Sequence, residues 1–253
     1  MWKVLAESLE GTSHRRTSQP CQDWRHCLPV AVAGETILIV ACADGAGSAE
    51  LSDVGARLAC EQFFDVARAA LEQRTSLDDL DRATVLDWYH QVQAALRAEA
   101  DRRGVAVRQL ACTLLTAVIG EHRALLAQVG DGSIVYLDGE RYQSAFWPQS
   151  GDYANTTNFI TQDDLADVFE IVEKSQRIDE LAAFTDGLQR LALSFASRSV
   201  YQPFFGPLFA PLRAAEHADE LVVPLRAFLD SPLVNERTDD DKTLVLATRV
   251  PAP

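Results

Sequence analysis

The chain has 253 residues, 37 acidic and 23 basic side chains, a formal charge of −14 and 47% apolar residues. That length and apolar share support a substantial core, in one large domain or two small ones, and exclude a disordered chain. The acidic balance argues against a surface for duplex nucleic acid, and no run nears the roughly 18 apolar residues of a membrane span.

The opening residues lack the long apolar stretch of a signal peptide. Five cysteines are an odd number, and Cys42, Cys60 and Cys112 stand in apolar or helical contexts. They read as buried thiols in a reducing, cytoplasmic compartment rather than as a disulfide framework. Cys21 and Cys27 flank His26, but a structural zinc site wants a second close-spaced ligand pair downstream, which the sequence lacks.

In chain order, residues 2–10 form a short extended candidate, and 11–23 read as a polar loop carrying His14, Arg15 and Arg16 and ending at Asp23. Segments 30–33 and 36–43 flank Gly34-Glu35, which predicts a β-hairpin. The second of these is an apolar run that ends in Asp44-Gly45-Ala46-Gly47, as a buried strand does when it delivers a carboxylate to a sheet edge. Ser52 or Asp53 caps a helix that continues through Ala67. A second helix spans 80–102 with a stripe of Val85, Trp88, Tyr89, Val92, Ala95 and Leu96. The two are joined around Thr75-Ser76 as an antiparallel pair with one face free to cover a sheet. Segments 110–119, 123–129 and 133–137 follow as strands with no helix between them, which predicts an antiparallel meander, with Asp138-Gly139 as a hairpin turn. Residues 146–159, with Gly151-Asp152, read as loop and 168–172 as extended chain. The run 177–184 ends in Thr185-Asp186-Gly187, repeating the Asp44-Gly45 arrangement. Residues 188–199 look helical, 203–211 read as a proline-rich linker, 219–229 as a helix, and 243–248 as a closing strand entered through Asp239-Asp240-Asp241. The simplest organisation is one domain over 1–253 with a helix and loop insertion at about 188–237.

Asp23, Asp44, Asp186 and Asp240 each lie where an apolar segment enters or leaves polar chain. Brought together, they repel one another unless cations compensate them. An all-oxygen set of that kind selects Mg2+ or Mn2+ over softer metals. Two such ions about 3.5–4 Å apart activate a water and hold the oxygens of a phosphoester in line. Four unrelated loop aspartates are the competing reading.

Six short segments, in order, resemble the metal-dependent serine/threonine phosphatases of the PP2C type. They are Cys21-Gln22-Asp23, Ala43-Asp44-Gly45-Ala46-Gly47 with Ser52-Asp53-Val54-Gly55-Ala56, Ala111-Cys112-Thr113-Leu114, Val129-Gly130-Asp131-Gly132, Phe184-Thr185-Asp186-Gly187, and Asp240-Asp241-Lys242-Thr243 with the apolar residues after it. The likeness covers roughly residues 11 to 250. It implies an α+β fold, a four-layer α-β-β-α sandwich of two antiparallel sheets flanked by helix pairs. It implies hydrolysis of phosphoserine or phosphothreonine on proteins, by a water activated at Mn2+ or Mg2+. In this likeness Asp44 bridges two ions, the Gly45 carbonyl binds one of them, and Asp186 and Asp240 complete one ion's carboxylate set. Asp23 lies on the other side of the site, and Asp131 corresponds to an aspartate that helps hold a third, more labile ion. A phosphorylated protein is then the substrate, a serine/threonine kinase its source, and the enzyme a monomer.

The chain departs from that pattern at three places. Gln22 stands where the family has a carboxylate, Ser18 where it has a phosphate-gripping arginine, and Arg190 where it has a further aspartate. Arg190 cannot ligate a cation, which counts against the third ion. Arg15 and Arg16 are the expected phosphate contacts instead, and His14 the expected general acid. The alternatives are an inactive signalling module on the same fold, or a hydrolase of small phosphoesters.

Overall fold

The computed structural model describes residues 1–73, 76–149 and 157–250. Thr75 of the expected helix connection and the Gly151-Asp152 loop lie outside the described residues. The chain runs β1 (Trp2–Leu9), α1 (Thr12–Thr17), β2 (Trp24–Val32), β3 (Glu35–Ala43), α2 (Ser52–Glu72) and α3 (Arg82–Arg103). It continues with β4 (Leu114–Ile119), β5 (Ala124–Val129), β6 (Ser133–Asp138), β7 (Arg141–Ser144), α4 (Leu165–Val168), β8 (Glu170–Lys174) and β9 (Glu180–Phe184). After α5 (Gln189–Ala192) come the two-residue strands β10 (Leu193–Ser194) and β11 (Ser199–Val200), then α6 (Gln202–Ala214), α7 (Val222–Leu229), α8 (Pro232–Asn235) and β12 (Lys242–Arg249).

Two five-stranded sheets result, in the orders β1-β12-β9-β6-β7 and β2-β3-β4-β5-β8, and every pairing in them is antiparallel. The uninterrupted apolar run of β3 is explained by burial on both faces. Leu38, Val40 and Cys42 point between the sheets, against Ile134, Leu181 and Val245 of the other sheet. Ile37, Ile39, Ala41 and Ala43 point outward, against Phe63, Trp88 and Tyr89 of α2 and α3. On the far side α6, α7 and α8 bring Phe205, Phe209, Leu225, Leu229 and Val234 onto Leu5, Val135, Phe184 and Leu244. The layers are therefore helix, sheet, sheet, helix, the expected α-β-β-α sandwich.

Local chemistry sets the element ends. The Asp81 carboxylate accepts from the Thr84 N–H at 2.9 Å and caps α3, and Gly104 at φ 70° closes it. The β2–β3 turn is Ala33-Gly34, one residue earlier than expected, with φ of 48° and 87°. Both residues are left-handed, as the twist of a two-residue hairpin requires. Four expectations fail. Residues 12–17 of the polar loop form a helical turn, and 193–200 turn back as the β10–β11 hairpin instead of extending a helix. Residues 165–168 are helical, so the extended segment begins only at Glu170. The proline-rich 203–211 is helix, because Pro203, Pro207 and Pro211 recur every fourth residue. Their missing N–H groups then fall on one exposed face, while Phe205, Phe209 and Leu212 are buried on another.

Candidate active site

Strand register brings distant loops to one end of the sandwich. Leu9 pairs with Lys242 and Leu244 with Phe184, so the chain after β1, before β12 and after β9 meets at that end. Ser133 also pairs with Phe184, which adds the loop before β6. In the other sheet Trp24 pairs with Ala43, and Leu114 with Val129, which adds the ends of β2, β3, β4 and β5. Residue 44 continues the alternation of Leu38, Val40 and Cys42 and so emerges on the inner side. The Asp44 N–H donates to Thr113 Oγ1 at 2.9 Å, and the Thr113 N–H donates to the Asp44 carbonyl at 2.8 Å.

The cleft so formed has a volume of about 170 Å³, and its wall includes His14, Gln22, Asp44, Gly45, Asp131, Asp186, Asp240 and Asp241. Two glycines are dictated by contact. A Cβ on Gly45 would lie 2.7 Å from the Gln22 carbonyl oxygen, and one on Gly187 2.0 Å from that of Asp241. The Asp-Gly steps thus let neighbouring backbones touch.

Five carboxylates line one small space, and four of them, Asp44, Asp131, Asp186 and Asp240, are raised above the usual range. Burial holds the Asp44 carboxyl well above the usual range, and the charges of Asp23, Asp186, Asp240 and Asp131 add to it. Asp186 is pushed up to about 7 by burial, then by Asp240 and Asp131. Asp131 is raised chiefly by burial, although its Oδ2 accepts from Thr157 Oγ1 at 2.6 Å. Gln189 Nε2 donates to the Asp131 carbonyl and ties α5 to the same wall. Two further oxygens on the wall, Asp186 Oδ1 and Gln22 Oε1, are buried with no hydrogen-bond partner. Clustered carboxylates and orphaned acceptors fit a hard divalent cation. Among the described residues no three acidic, histidine or cysteine side chains are drawn into a closed ligand cluster.

Raised carboxylates carry a pH consequence. Between the ordinary 3.8 and about 7 the folded state keeps a proton on Asp186 that the unfolded chain releases. Stability from this group is full below that window and is lost as pH rises through it. The metal-free protein is therefore expected to melt at a lower temperature at about pH 8 than at about pH 5, with added Mn2+ reversing the trend. Thermal denaturation in chelator across that range checks it, and a melting temperature that climbs with pH would contradict it.

The other expected site residues are placed differently. Asp23 is 2% exposed and does not line the cleft. Its Oδ2 accepts from Thr185 Oγ1 at 2.7 Å, and that hydroxyl accepts from the Thr243 N–H at 3.0 Å. Asp23 is thus buried behind the cleft wall, tied to Thr185, with its charge acting on Asp44. Arg15 and Arg16 do not line the cleft either. Arg15 is held by Asp230 at 2.6 Å, and the largely exposed Arg16 lies 3.2 Å from Asp239. As placed they do not reach an anion in the cleft, because α1 turns them toward surface carboxylates. His14 does line the cleft and is the one residue there, among those described, able to carry positive charge.

Sequence reading missed Asp241. Its Oδ1 accepts from the Gly11 N–H and its Oδ2 from the Gln22 N–H, both at 2.6 Å. His14 Nδ1 lies 2.9 Å from the same Oδ2, as a charge contact rather than an aligned hydrogen bond. Among three consecutive aspartates the sequence carries no signal of which faces inward. The fold sends Asp239 to solvent, Asp240 to the exposed rim of the cleft and Asp241 beneath it, 2% exposed.

An α-β-β-α sandwich with a cation-seeking carboxylate cluster at one end defines a class, the metal-dependent phosphohydrolases. Comparison with known proteins narrows it. Residues 10–226 match the sequence profile of the protein phosphatase 2C family. Serine/threonine-protein phosphatase 3 of Escherichia coli (strain K12) is 40% identical over 254 residues, covering 97% of this chain and 98% of that protein. Among solved structures, serine/threonine phosphatase Stp1 from Staphylococcus aureus superposes with a TM-score of 0.64 at 14% identity, over 99% of this chain and 96% of that one. The catalytic domain of the serine/threonine protein phosphatase PstP, in complex with two manganese ions, gives 0.62 at 14% identity, over 99% of both chains. The chain belongs to the protein phosphatase 2C family and is a metal-dependent serine/threonine protein phosphatase.

Proposed function

We propose that the cleft is the catalytic site, with Asp44, the Gly45 carbonyl, Asp186 and Asp240 holding two divalent cations, Mn2+ or Mg2+. The single observation that carries this is the convergence of four raised or buried carboxylates with the orphaned Asp186 Oδ1 on one wall. The two manganese ions of the PstP structure support the ion count. Asp131 stands on the same wall, where a third, weaker ion would draw on it. Arg190 adds no carboxylate and lowers the case for that ion. Bound cations supply the positive charge that acidifies a water and neutralises phosphate oxygens.

The chain's own groups do the rest. Asp44, fixed at its backbone by Thr113, orients the cation pair. Asp23 shapes the floor through Thr185 and Thr243. His14, braced by Asp241, holds a proton at the mouth of the cleft and delivers it to the leaving serine or threonine oxygen. Its charge, with the cations, attracts the phosphate dianion in place of Arg15 and Arg16. The substrate is a phosphorylated protein, so a serine/threonine kinase must act upstream of this reaction. The five cysteines are free thiols, which supports a reducing, cytoplasmic compartment. Among the described residues no helix is long and apolar enough to cross a membrane.

Phosphate release from a phosphothreonine peptide and from a small aryl phosphate, each with Mn2+ and with chelator, tests the reading. Peptide turnover that needs the metal is expected. Turnover of the aryl phosphate alone would point to a small-phosphoester hydrolase, and turnover of neither to an inactive module.

A further inference from the structure

On the face away from α2 and α3, a groove between α6 and α7 reaches down to the sheet. Leu5 of β1 and its strand partner Leu246 of β12 form its floor. Its volume of about 840 Å³ suits a small-molecule cleft. One wall is the proline face of α6, with Pro203, Pro207 and Pro211, and the other carries Leu225 and Phe228 of α7. Tyr201 and Leu233 stand at the rim, 53% and 59% exposed. Contiguous apolar surface of that kind marks a binding site.

The polar groups are few and of one sign. Among the described residues the polar side chains on the walls are Arg190, Ser194, Tyr201 and Arg237, with no carboxylate, in a chain of net charge −14. Neither of those guanidinium groups has a partner among the described residues, whereas Arg213 and Arg226 are paired with Glu180 and Glu7. Arg190 follows Asp186 by four residues and Arg237 precedes Asp240 by three, so both stand toward the carboxylate end of the sandwich. The C-terminal end of α6 lies toward the opposite end, where Arg213 meets Glu180, the strand partner of Thr248. The groove is therefore cationic at one end and apolar along the rest.

The occupant follows from what the walls lack. An extended peptide would bury N–H and C=O groups against side chains that cannot pair with them, and the prolines offer it no N–H. A helix satisfies its own backbone but is about 10 Å across. Phe204 and Phe228, on opposite walls, have ring centroids only 6.2 Å apart. A slim alkyl chain meets both constraints, and one anionic end meets the arginines. We propose that this groove binds a single-chain amphiphilic carboxylate, its head on Arg190 and Arg237 and its tail between the α6 prolines and α7. No residue of the cation site takes part. The fixed φ of the prolines keeps the α6 wall preformed, so little order has to be gained on binding.

Calorimetric titration of octanoate, decanoate and dodecanoate into the metal-free full chain, below their micelle-forming concentrations, tests this. Affinity should rise by up to about fourfold for each methylene added, as the tail covers more of the walls. Dodecanoate should also raise the melting temperature, because it binds the folded state. Arg190→Ala together with Arg237→Ala should weaken dodecanoate by about tenfold or more and leave dodecanol unchanged. Pro207→Glu should abolish dodecanoate binding by setting a negative charge against the tail, while returning an N–H to α6 and so sparing the helix. Dodecylammonium that binds as tightly as dodecanoate, or P207E that still binds dodecanoate, would overturn the proposal. A melting temperature that falls with dodecanoate would mark unfolding by a surfactant and overturn it too. If no alkyl carboxylate binds saturably, the assignment is wrong. Dimerisation lost in P207E would then make the groove a self-association face, and binding of an acidic amphipathic helical peptide would make it a protein-docking face.

Discussion

Asp44→Asn is expected to reduce kcat on a phosphothreonine peptide by on the order of 10³-fold or more, the largest loss of any single substitution in this chain. On the proposed reading Asp44 would hold both cations, and its carboxylate is opposed by Asp23, Asp186, Asp240 and Asp131. Asparagine keeps the size of the side chain and the backbone pairing with Thr113 but removes the charge that holds the ions. The same change should leave the metal-free fold intact or more stable. The amide resembles the protonated acid that burial already favours, so the gain should be greatest at high pH. Mn2+ raises the melting temperature of the wild type by binding the folded state, and D44N should lose most of that rise. Calorimetry and turnover decide the matter together. Equal Mn2+ affinity and equal turnover in the two proteins would make Asp44 a turn residue and remove the basis of the proposed chemistry.

Asp241 should show the second largest effect, through a different route. Asp241→Ala leaves the buried Gly11 and Gln22 N–H groups without acceptors and His14 without its counter-charge. Each orphaned group costs about 1–3 kcal/mol, so a loss of about 3 kcal/mol or more is expected in chemical denaturation. Asp241→Asn is the milder test, because one amide oxygen can still serve one of the two N–H groups. Its activity should fall on phosphothreonine peptide, whose alkoxide leaving group needs a proton, far more than on an activated aryl phosphate, whose leaving group does not. His14→Ala should share that pattern, with a loss of about 10²-fold or more on the peptide. A fall of equal size on both substrates would mean that Asp241 serves only the fold and that His14 transfers no proton.

Much of this protein was legible in one dimension, for reasons that lie in local physics. A strand buried on both faces must be apolar throughout, so the run before Asp44 declared itself. The helix pair over it showed its stripe, because Val85, Trp88, Tyr89, Val92 and Leu96 must face the sheet together. Carboxylates at strand ends marked the cleft, since strand ends are where polar chain resumes. The order of short motifs added the family and through it the sandwich.

What the chain alone could not decide depends on which residue of a short polar stretch turns inward. Asp239, Asp240 and Asp241 are chemically alike, and only the seating of β12 between β1 and β9 sends one to solvent, one to the rim and one beneath the cleft. Arg15 and Arg16 have the right chemistry for phosphate, yet the single turn of α1 commits them to Asp230 and Asp239. The prolines of α6 look like breakers until their four-residue spacing is set against a buried face of Phe205 and Phe209. Gln22 reads as a lost ligand in sequence. Only the fold buries its amide and clamps its backbone between Asp241 and Gly45. Residue type is a local property that the sequence carries in full, whereas partnership is a property of contacts between distant segments, such as Gly11 and Asp241, 230 residues apart, and only the folded chain brings those together.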